Sequence, residues 1–139
     1  MTELKVIEER ISSIKKYLTI LKKFKKYSQK ELENDIFLKG SVERYLYLVI
    51  QESISLAEGT ISLMDLRKPS DYGENFEILN ENDIISLELS QELIKMVGFR
   101  NVIAHDYKKL DFNIVYDVLQ NKLEDINSFI AEIKKSLNI

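Results

Sequence analysis

Cysteine is absent from this 139-residue sequence, and histidine occurs only once. Without thiols, the chain cannot form a disulfide framework, a cysteine-ligated zinc ribbon or a cysteine nucleophile. Proline occurs once and glycine four times, so the sequence has few of the residues that form tight turns. An architecture of many short strands is therefore disfavoured, because it would need frequent turns.

Long apolar runs are also missing, since none approaches the roughly 18 residues that span a bilayer. The N-terminal residues, MTELKVIEER, alternate charged and apolar side chains and lack the apolar core of a secretory signal. We therefore expect a cytoplasmic protein that does not enter the membrane.

The apolar residues predict an all-α fold. They recur every three or four positions between Leu4 and Phe24, which is typical of one helical face. Ser28 and Glu31 have the spacing of a capping box, so a short helix is expected to begin there. A second short helix is predicted over 73–79. The four main helices are predicted at about Glu3 to Tyr27, about Ser41 to Asp65, Ile84 to about Ala104, and from a cap at Asp111 onward.

These helices predict a single domain over residues 1–139. Gly40 and Ser41 are expected to separate the first short helix from the long helix that follows, and Pro69 is expected to end that long helix. Four main helices with short connections fold most easily as an up-and-down bundle.

Charge is distributed unevenly along the chain, although the formal net charge is only −3. Residues 1–30 contain nine Lys and Arg against three Glu, whereas residues 69–94 contain seven Asp and Glu and no Lys or Arg. Seven of the eight lysines in residues 1–30 lie within residues 15–30. This positive strip fits a solvated helix face, and it also fits a surface that contacts RNA phosphates or a partner protein.

Side chains suited to chemistry concentrate between Gly98 and Tyr107. On a continuous helix, Asn101 and His105 lie four residues apart on one face, with Arg100 beside them. A helix that ends near His105 would let Tyr107 fold back toward the same point. Arginine can neutralise a phosphate and histidine can exchange protons near neutral pH, so this set suits phosphodiester chemistry.

A structural role for His105 stays open at this point, because an imidazolium at a helix C-terminus is stabilised by the helix dipole. Glu52, alone in an apolar helix, is more typical of a salt-bridge partner than of a catalyst. A single histidine also falls short of the several His and carboxylate ligands that a di-metal bundle site requires.

The motif Arg-x4-His-x-Tyr, present here from Arg100 to Tyr107, resembles the signature of the HepT-like toxins of the HEPN superfamily. The resemblance covers most of residues 3–137. Its further matches are Ser41–Arg44 at the start of the long helix, a Pro…Tyr…Phe loop over Pro69–Phe76, the run Met96–Phe99 before the arginine, and Asp111 with Val115 and Tyr116 at the opening of the last helix.

The resemblance implies a homodimeric helical-bundle ribonuclease that needs no metal or other cofactor. Arg100 and His105 would be catalytic, and Asn101 would support them. The resemblance also implies a MntA-like nucleotidyltransferase as antitoxin, which would silence the toxin by transferring AMP to Tyr107.

Elementary chemistry agrees with a dimer. Metal-free RNA cleavage can use the 2′-hydroxyl of the substrate as nucleophile, with a base to deprotonate it and an acid to protonate the leaving 5′-oxygen. One histidine does not easily fill both roles at once. A two-fold dimer that brings two copies of His105 and Arg100 into one cleft supplies both, and the expected product is a 2′,3′-cyclic phosphate.

Two other interpretations stay open. In the first, the chain is a non-catalytic helical subunit that presents nucleotide or RNA to a nucleotidyltransferase. In the second, it is a structural bundle whose motif is only a helix end, with Arg100 held in a salt bridge and His105 buried away from any cleft.

Overall fold

Helices form all the regular structure within residues 2–139, the part of the chain that the computed structural model describes. Among these residues, no helix is long and apolar enough to cross a membrane. The α-helices are α1 (Glu3–Lys22), α2 (Gln29–Asn34), α3 (Ile36–Leu63), α4 (Glu74–Glu81), α5 (Leu87–His105), α6 (Phe112–Asp117) and α7 (Leu123–Leu137). A 3₁₀ turn over Tyr107–Lys109 follows α5, and a π-helical turn over Val118–Lys122 joins α6 to α7.

The predicted all-α bundle is confirmed. Its four main helices are α1, α3, α5 and the continuous rod formed by α6, the π turn and α7, while α2 and α4 are short. α1 runs antiparallel to α3, as two contacts show. Arg10 pairs with Glu52, whereas Tyr17, which comes later in α1, contacts Tyr45, which comes earlier in α3.

α3 lies at the centre of the bundle and packs against α1, α2, α4 and α5. The core includes a fully buried aromatic pair, Phe76 of α4 and Phe129 of α7, whose ring centroids lie 5.5 Å apart in an edge-to-face arrangement. Each such aromatic side chain removes a large apolar area from water, which is the main stabilising contribution to a core of this kind.

The first helix ends at Lys22, five residues before the predicted end at Tyr27. The backbone carbonyls of Lys25 and Tyr27 accept hydrogen bonds from the side chains of Gln120 and Tyr116 in the last rod. Because these side chains already satisfy the two carbonyls, further helical hydrogen bonds would add little stability here.

The long central helix begins at Ile36, so the predicted start near Ser41 is wrong. The carboxylate of Asp35 accepts hydrogen bonds from the next turn and caps the helix there. Gly40 therefore lies inside the helix. A glycine costs about 1 kcal/mol relative to alanine in that position, and the surrounding 28-residue helix retains its regular course.

The same helix ends before Pro69, which does not act as its terminator. Asp65 adopts a left-handed conformation with φ 53°, and the N–H of Leu66 donates to the carbonyl of Ile61 at 3.0 Å. This is the hydrogen bonding of a Schellman motif, in which glycine is the usual left-handed residue. Because an aspartate occupies that position instead of a glycine, the sequence does not indicate this helix end.

The predicted helix starts differ in accuracy elsewhere. Ser28 forms the predicted capping box with Glu31, and Asp111 caps the last rod as predicted. α5 begins at Leu87 rather than Ile84, because Ser86 caps it by accepting a hydrogen bond from the third residue of the helix.

Candidate active site

One groove lies between the first half of α3 and the C-terminal end of α5. The two helices are antiparallel here. Gln51 of α3 contacts Arg100 of α5, and Glu43, which lies nearer the start of α3, contacts Tyr107 just beyond the end of α5. The groove has a volume of about 480 Å³ and is lined by Gly40, Glu43, Arg44, Tyr47, Arg100, Ile103, Ala104, His105 and Tyr107.

Arg100 is held firmly at the base of this groove and is only 7% exposed. Its guanidinium donates to Gln51 Oε1 at 3.0 Å, to Asn101 Oδ1 at 2.9 Å and to the Tyr47 hydroxyl at 3.2 Å. The guanidinium carbon also lies 5.1 and 5.3 Å from the ring centroids of Tyr47 and Tyr72. All these partners are uncharged, so the full positive charge of Arg100 remains available to an anion.

His105 is the last residue of α5 and is exposed. It lines the same groove as Arg100 and Tyr107, so the structure brings three of the four predicted site residues to one surface. The fourth, Asn101, is also exposed and accepts a hydrogen bond from Arg100. The amide thus orients the guanidinium.

Tyr107 begins the 3₁₀ turn after α5, and its hydroxyl donates to Glu43 Oε1 at 2.5 Å. The hydrogen bond to the Glu43 carboxylate, together with partial burial and the negative charge of that carboxylate, raises the pKa of Tyr107 to about 12. The phenol is therefore protonated throughout the physiological pH range, although Tyr107 as a whole is 53% exposed.

These positions disagree with the interpretation of the motif as a mere helix end. That interpretation places Arg100 in a salt bridge and buries His105, whereas Arg100 binds uncharged groups and His105 is open to solvent. The groove presents a fixed guanidinium, a titratable imidazole and a phenol, which is a set of groups that can bind a phosphodiester and move protons beside it.

Sequence reasoning did not assign a role to four residues of the site: Glu43, Tyr47, Gln51 and Tyr72. Glu43, Tyr47 and Gln51 are spaced four apart, so they follow one face of α3. This polar i, i+4, i+8 series within an apolar helix was the sequence pattern that could have indicated these site residues. Tyr72 belongs to the Pro…Tyr…Phe loop between α3 and α4 and reaches Arg100 from there.

Two other features of the sequence, Glu52 and the lysines within residues 15–30, lie outside the groove. Glu52 forms an ion pair with Arg10 at 3.1 Å, as expected of a salt-bridge partner. Among residues 2–139, no lysine of the 15–30 cluster forms an ion pair, and no group of three or more His, Asp or Glu is placed to hold a metal ion.

The fold and the groove define the class of protein, an antiparallel helical bundle with the Arg-x4-His-x-Tyr arrangement of HEPN proteins. Residues 7–133 match the family described as Ribonuclease HepT-like. The chain is 34% identical over 126 residues to the mRNA nuclease HepT of Shewanella oneidensis, a match that covers 87% of this chain and 95% of that protein. The chain belongs to the HepT-like ribonuclease family.

A second curated relative and two solved structures agree with this assignment. The tRNA nuclease HepT of Aphanizomenon flos-aquae is 27% identical, with coverage of 95% of this chain and 90% of the relative. The tri-AMPylated Shewanella oneidensis HEPN toxin in complex with MNT antitoxin has a TM-score of 0.87 at 32% identity, covering 94% and 97% of the two chains. A toxin–antitoxin crystal structure with AMP-PNP has a TM-score of 0.88 at 30% identity, covering 94% and 98%.

Proposed function

We propose that this chain is the toxin of a type II toxin–antitoxin pair and a metal-independent endoribonuclease, with Arg100 and His105 as its catalytic residues. The observation that carries the proposal is that the fixed guanidinium of Arg100 and the exposed imidazole of His105 line one open groove. A guanidinium has five N–H donors, and three are used by neighbours. Two remain uncommitted within residues 2–139 and can meet a phosphate.

The reaction follows from these groups. The 2′-hydroxyl of the RNA attacks the adjacent phosphorus, and the bond to the 5′-oxygen breaks, which leaves a 2′,3′-cyclic phosphate. Arg100 stabilises the negative charge that develops on the phosphoryl oxygens. His105 removes the proton from the attacking hydroxyl, and a second His105 protonates the leaving oxygen.

The second histidine comes from a second copy of the chain. A homodimer with a two-fold axis near the groove places both copies of His105 and Arg100 on one RNA backbone. Sedimentation analysis that finds only monomers under cleavage conditions contradicts this arrangement.

The proposed partner is a MntA-like nucleotidyltransferase antitoxin, and the proposed acceptor of AMP is Tyr107. Two related structures are named as toxin–antitoxin complexes, one of them with an AMPylated toxin. The half-exposed phenol lines the groove beside His105. AMP attached there adds bulk and negative charge, which exclude RNA sterically and repel its phosphates. We place residues 1–139, as one HepT-like domain, in the cytoplasm, where RNA and ATP are available.

The decisive experiment compares RNA cleavage by the parent, His105→Ala and Arg100→Ala in the presence of a metal chelator. We expect each variant to lose at least about 100-fold in rate, because each lacks a group that acts in the transition state. Arg10→Ala is the matched control, since Arg10 pairs with Glu52 outside the groove. Either site variant cleaving like the parent refutes the assignment.

The same experiment addresses the alternative of a non-catalytic subunit. A parent protein that binds the nucleotidyltransferase stably but cleaves no RNA, with or without chelator, supports that alternative. Detection of a 2′,3′-cyclic phosphate at the new RNA ends supports the proposed reaction.

A further inference from the structure

Within residues 2–139, Glu43 is the one buried carboxylate in contact with the proposed AMP acceptor. It lies on α3 and is only 5% exposed, and its Oε1 accepts the hydrogen bond from the hydroxyl of Tyr107. Its second oxygen, Oε2, is buried and has no hydrogen-bond partner among the described residues. A buried carboxylate oxygen without a partner is costly for folding, and such a cost is typical of a group that is kept for its function.

The two groups differ in exposure. Tyr107 is half exposed and lines the groove, whereas Glu43, which lines the same groove from α3, is buried. A nucleotide can therefore approach the phenolic oxygen from solvent while the proton of that oxygen already points at a fixed acceptor. General-base catalysis requires this geometry, with the base within hydrogen-bond reach of the proton that it removes.

We infer that Glu43 is the general base that accepts the phenolic proton of Tyr107 when this tyrosine is joined to AMP. The inference rests on the proposed function of Tyr107 as the AMP acceptor. The phenolic oxygen attacks the α-phosphorus of ATP and forms a new P–O bond, while the bond from that phosphorus to the β-phosphate breaks and pyrophosphate leaves. The proton moves from Tyr107 to Glu43 Oε1 and then to water.

A base is needed because the phenol does not ionise on its own. Its pKa of about 12 leaves almost no phenolate at neutral pH, so the proton must leave as the new bond forms. The ionisable groups that line the groove with Glu43 and Tyr107 are Arg44 on the same helix as Glu43, and Arg100 and His105 on α5. The two arginines bring positive charge to the groove that holds this carboxylate.

A purely structural role for Glu43 makes a different prediction. If Glu43 only anchors the turn that carries Tyr107, an amide at the same position accepts the same hydrogen bond and the AMP transfer proceeds. If Glu43 takes the proton, the amide fails because it is not basic. The variant Glu43→Gln, which preserves size and the accepting oxygen, separates the two roles.

The experiment measures the initial rate of AMP gain by intact mass, with the full chain, ATP, magnesium and its MntA-like nucleotidyltransferase. We expect Glu43→Gln to slow the transfer by at least about 100-fold, the low end of general-base contributions. Glu43→Asp retains a carboxylate and is expected to recover part of the rate. Glu52→Gln is the matched control, since Glu52 lies on the same helix in an ion pair outside the groove, and it is expected to react within twofold of the parent.

The pH profile supplies a readout that a structural role would not move. Between pH 7 and 9 we expect a flat rate for the parent and for Glu43→Asp, and a rate that rises about tenfold per pH unit for Glu43→Gln, because hydroxide then replaces the lost base. Melting curves and complex formation establish that each variant is folded and binds its partner.

The outcomes are distinct. Transfer by Glu43→Gln at the parent rate, or slowed with a flat profile, overturns the inference while Tyr107 keeps its role as acceptor. If Glu43→Gln does not fold, Glu43→Ala is measured in its place, since it also lacks a base: a flat profile for that variant overturns the inference, and a rate that rises about tenfold per pH unit supports it. A parent protein that gains no AMP, or a Tyr107→Phe variant that gains as much as the parent, removes the acceptor role and this inference together.

Discussion

Replacement of Arg100 by alanine is expected to lower the free energy of unfolding by about 2–4 kcal/mol. The guanidinium donates to Gln51 at 3.0 Å, to Asn101 at 2.9 Å and to Tyr47 at 3.2 Å. A hydrogen bond from a charged group contributes about 1.5–3 kcal/mol, but these partners are half-buried or exposed and can turn to water once the arginine is gone. Each bond therefore counts for about 1 kcal/mol, and the lost stacking on two tyrosine rings adds a smaller amount.

The same substitution is expected to slow RNA cleavage by about 100- to 1,000-fold, as is typical when a charge-stabilising donor is removed from an active site. Unfolding by urea, followed by circular dichroism, measures the first effect, and the cleavage rate without denaturant measures the second. A loss of about 3 kcal/mol leaves most domains of this size folded, so the two effects can be separated.

Arg10→Ala provides the matched comparison for both measurements. Arg10 is half-exposed in its ion pair with Glu52, so its removal is expected to cost less than about 1 kcal/mol and to leave cleavage unchanged. Cleavage by Arg100→Ala within threefold of the parent, or an unchanged free energy of unfolding, would refute the reasoning about the guanidinium.

Three further predictions concern the groove and the core. Tyr47→Phe keeps the ring beside Arg100 but removes the hydroxyl, so cleavage is expected to fall about 5- to 10-fold with a stability loss below about 1.5 kcal/mol; full activity contradicts this role. The folded-state pKa of Tyr107, about 12 against an ordinary value of 10, means that its stabilising contribution is fully present below pH 10 and is lost as the pH rises through 12. The difference in urea midpoint between the parent and Tyr107→Phe should therefore narrow between pH 10 and 12, and a constant difference argues against the hydrogen bond. Phe129→Ala removes a fully buried ring packed on Phe76 and is expected to cost about 3–5 kcal/mol in urea unfolding; a cost below about 1 kcal/mol contradicts the packing.

The helical organisation could be predicted because its causes are local. Ile7, Ile11, Ile14, Leu18 and Leu21 follow the helical period, and all of them are buried against the rest of the bundle. Helix periodicity and capping depend on side chains within about four residues, so the sequence displays them directly.

The predicted helix ends were wrong where distant parts of the chain intervene or where the local signal is unusual. The first helix ends early because the last rod supplies hydrogen bonds to Lys25 and Tyr27. The central helix ends at Leu63, two residues before the predicted end, and the left-handed Asp65 terminates it instead of the predicted Pro69. Neither cause is visible in a window of a few residues.

The sequence by itself determined the all-helical character of this protein and the four motif residues, Arg100, Asn101, His105 and Tyr107, since they lie within one turn-and-a-half of helix and the turn after it. Only the tertiary structure decided what surrounds them. Glu43 contacts Tyr107 across 64 positions of sequence, and Gln51 contacts Arg100 across 49. Such partners are selected by the antiparallel register of α3 and α5, which the packing of the whole bundle fixes.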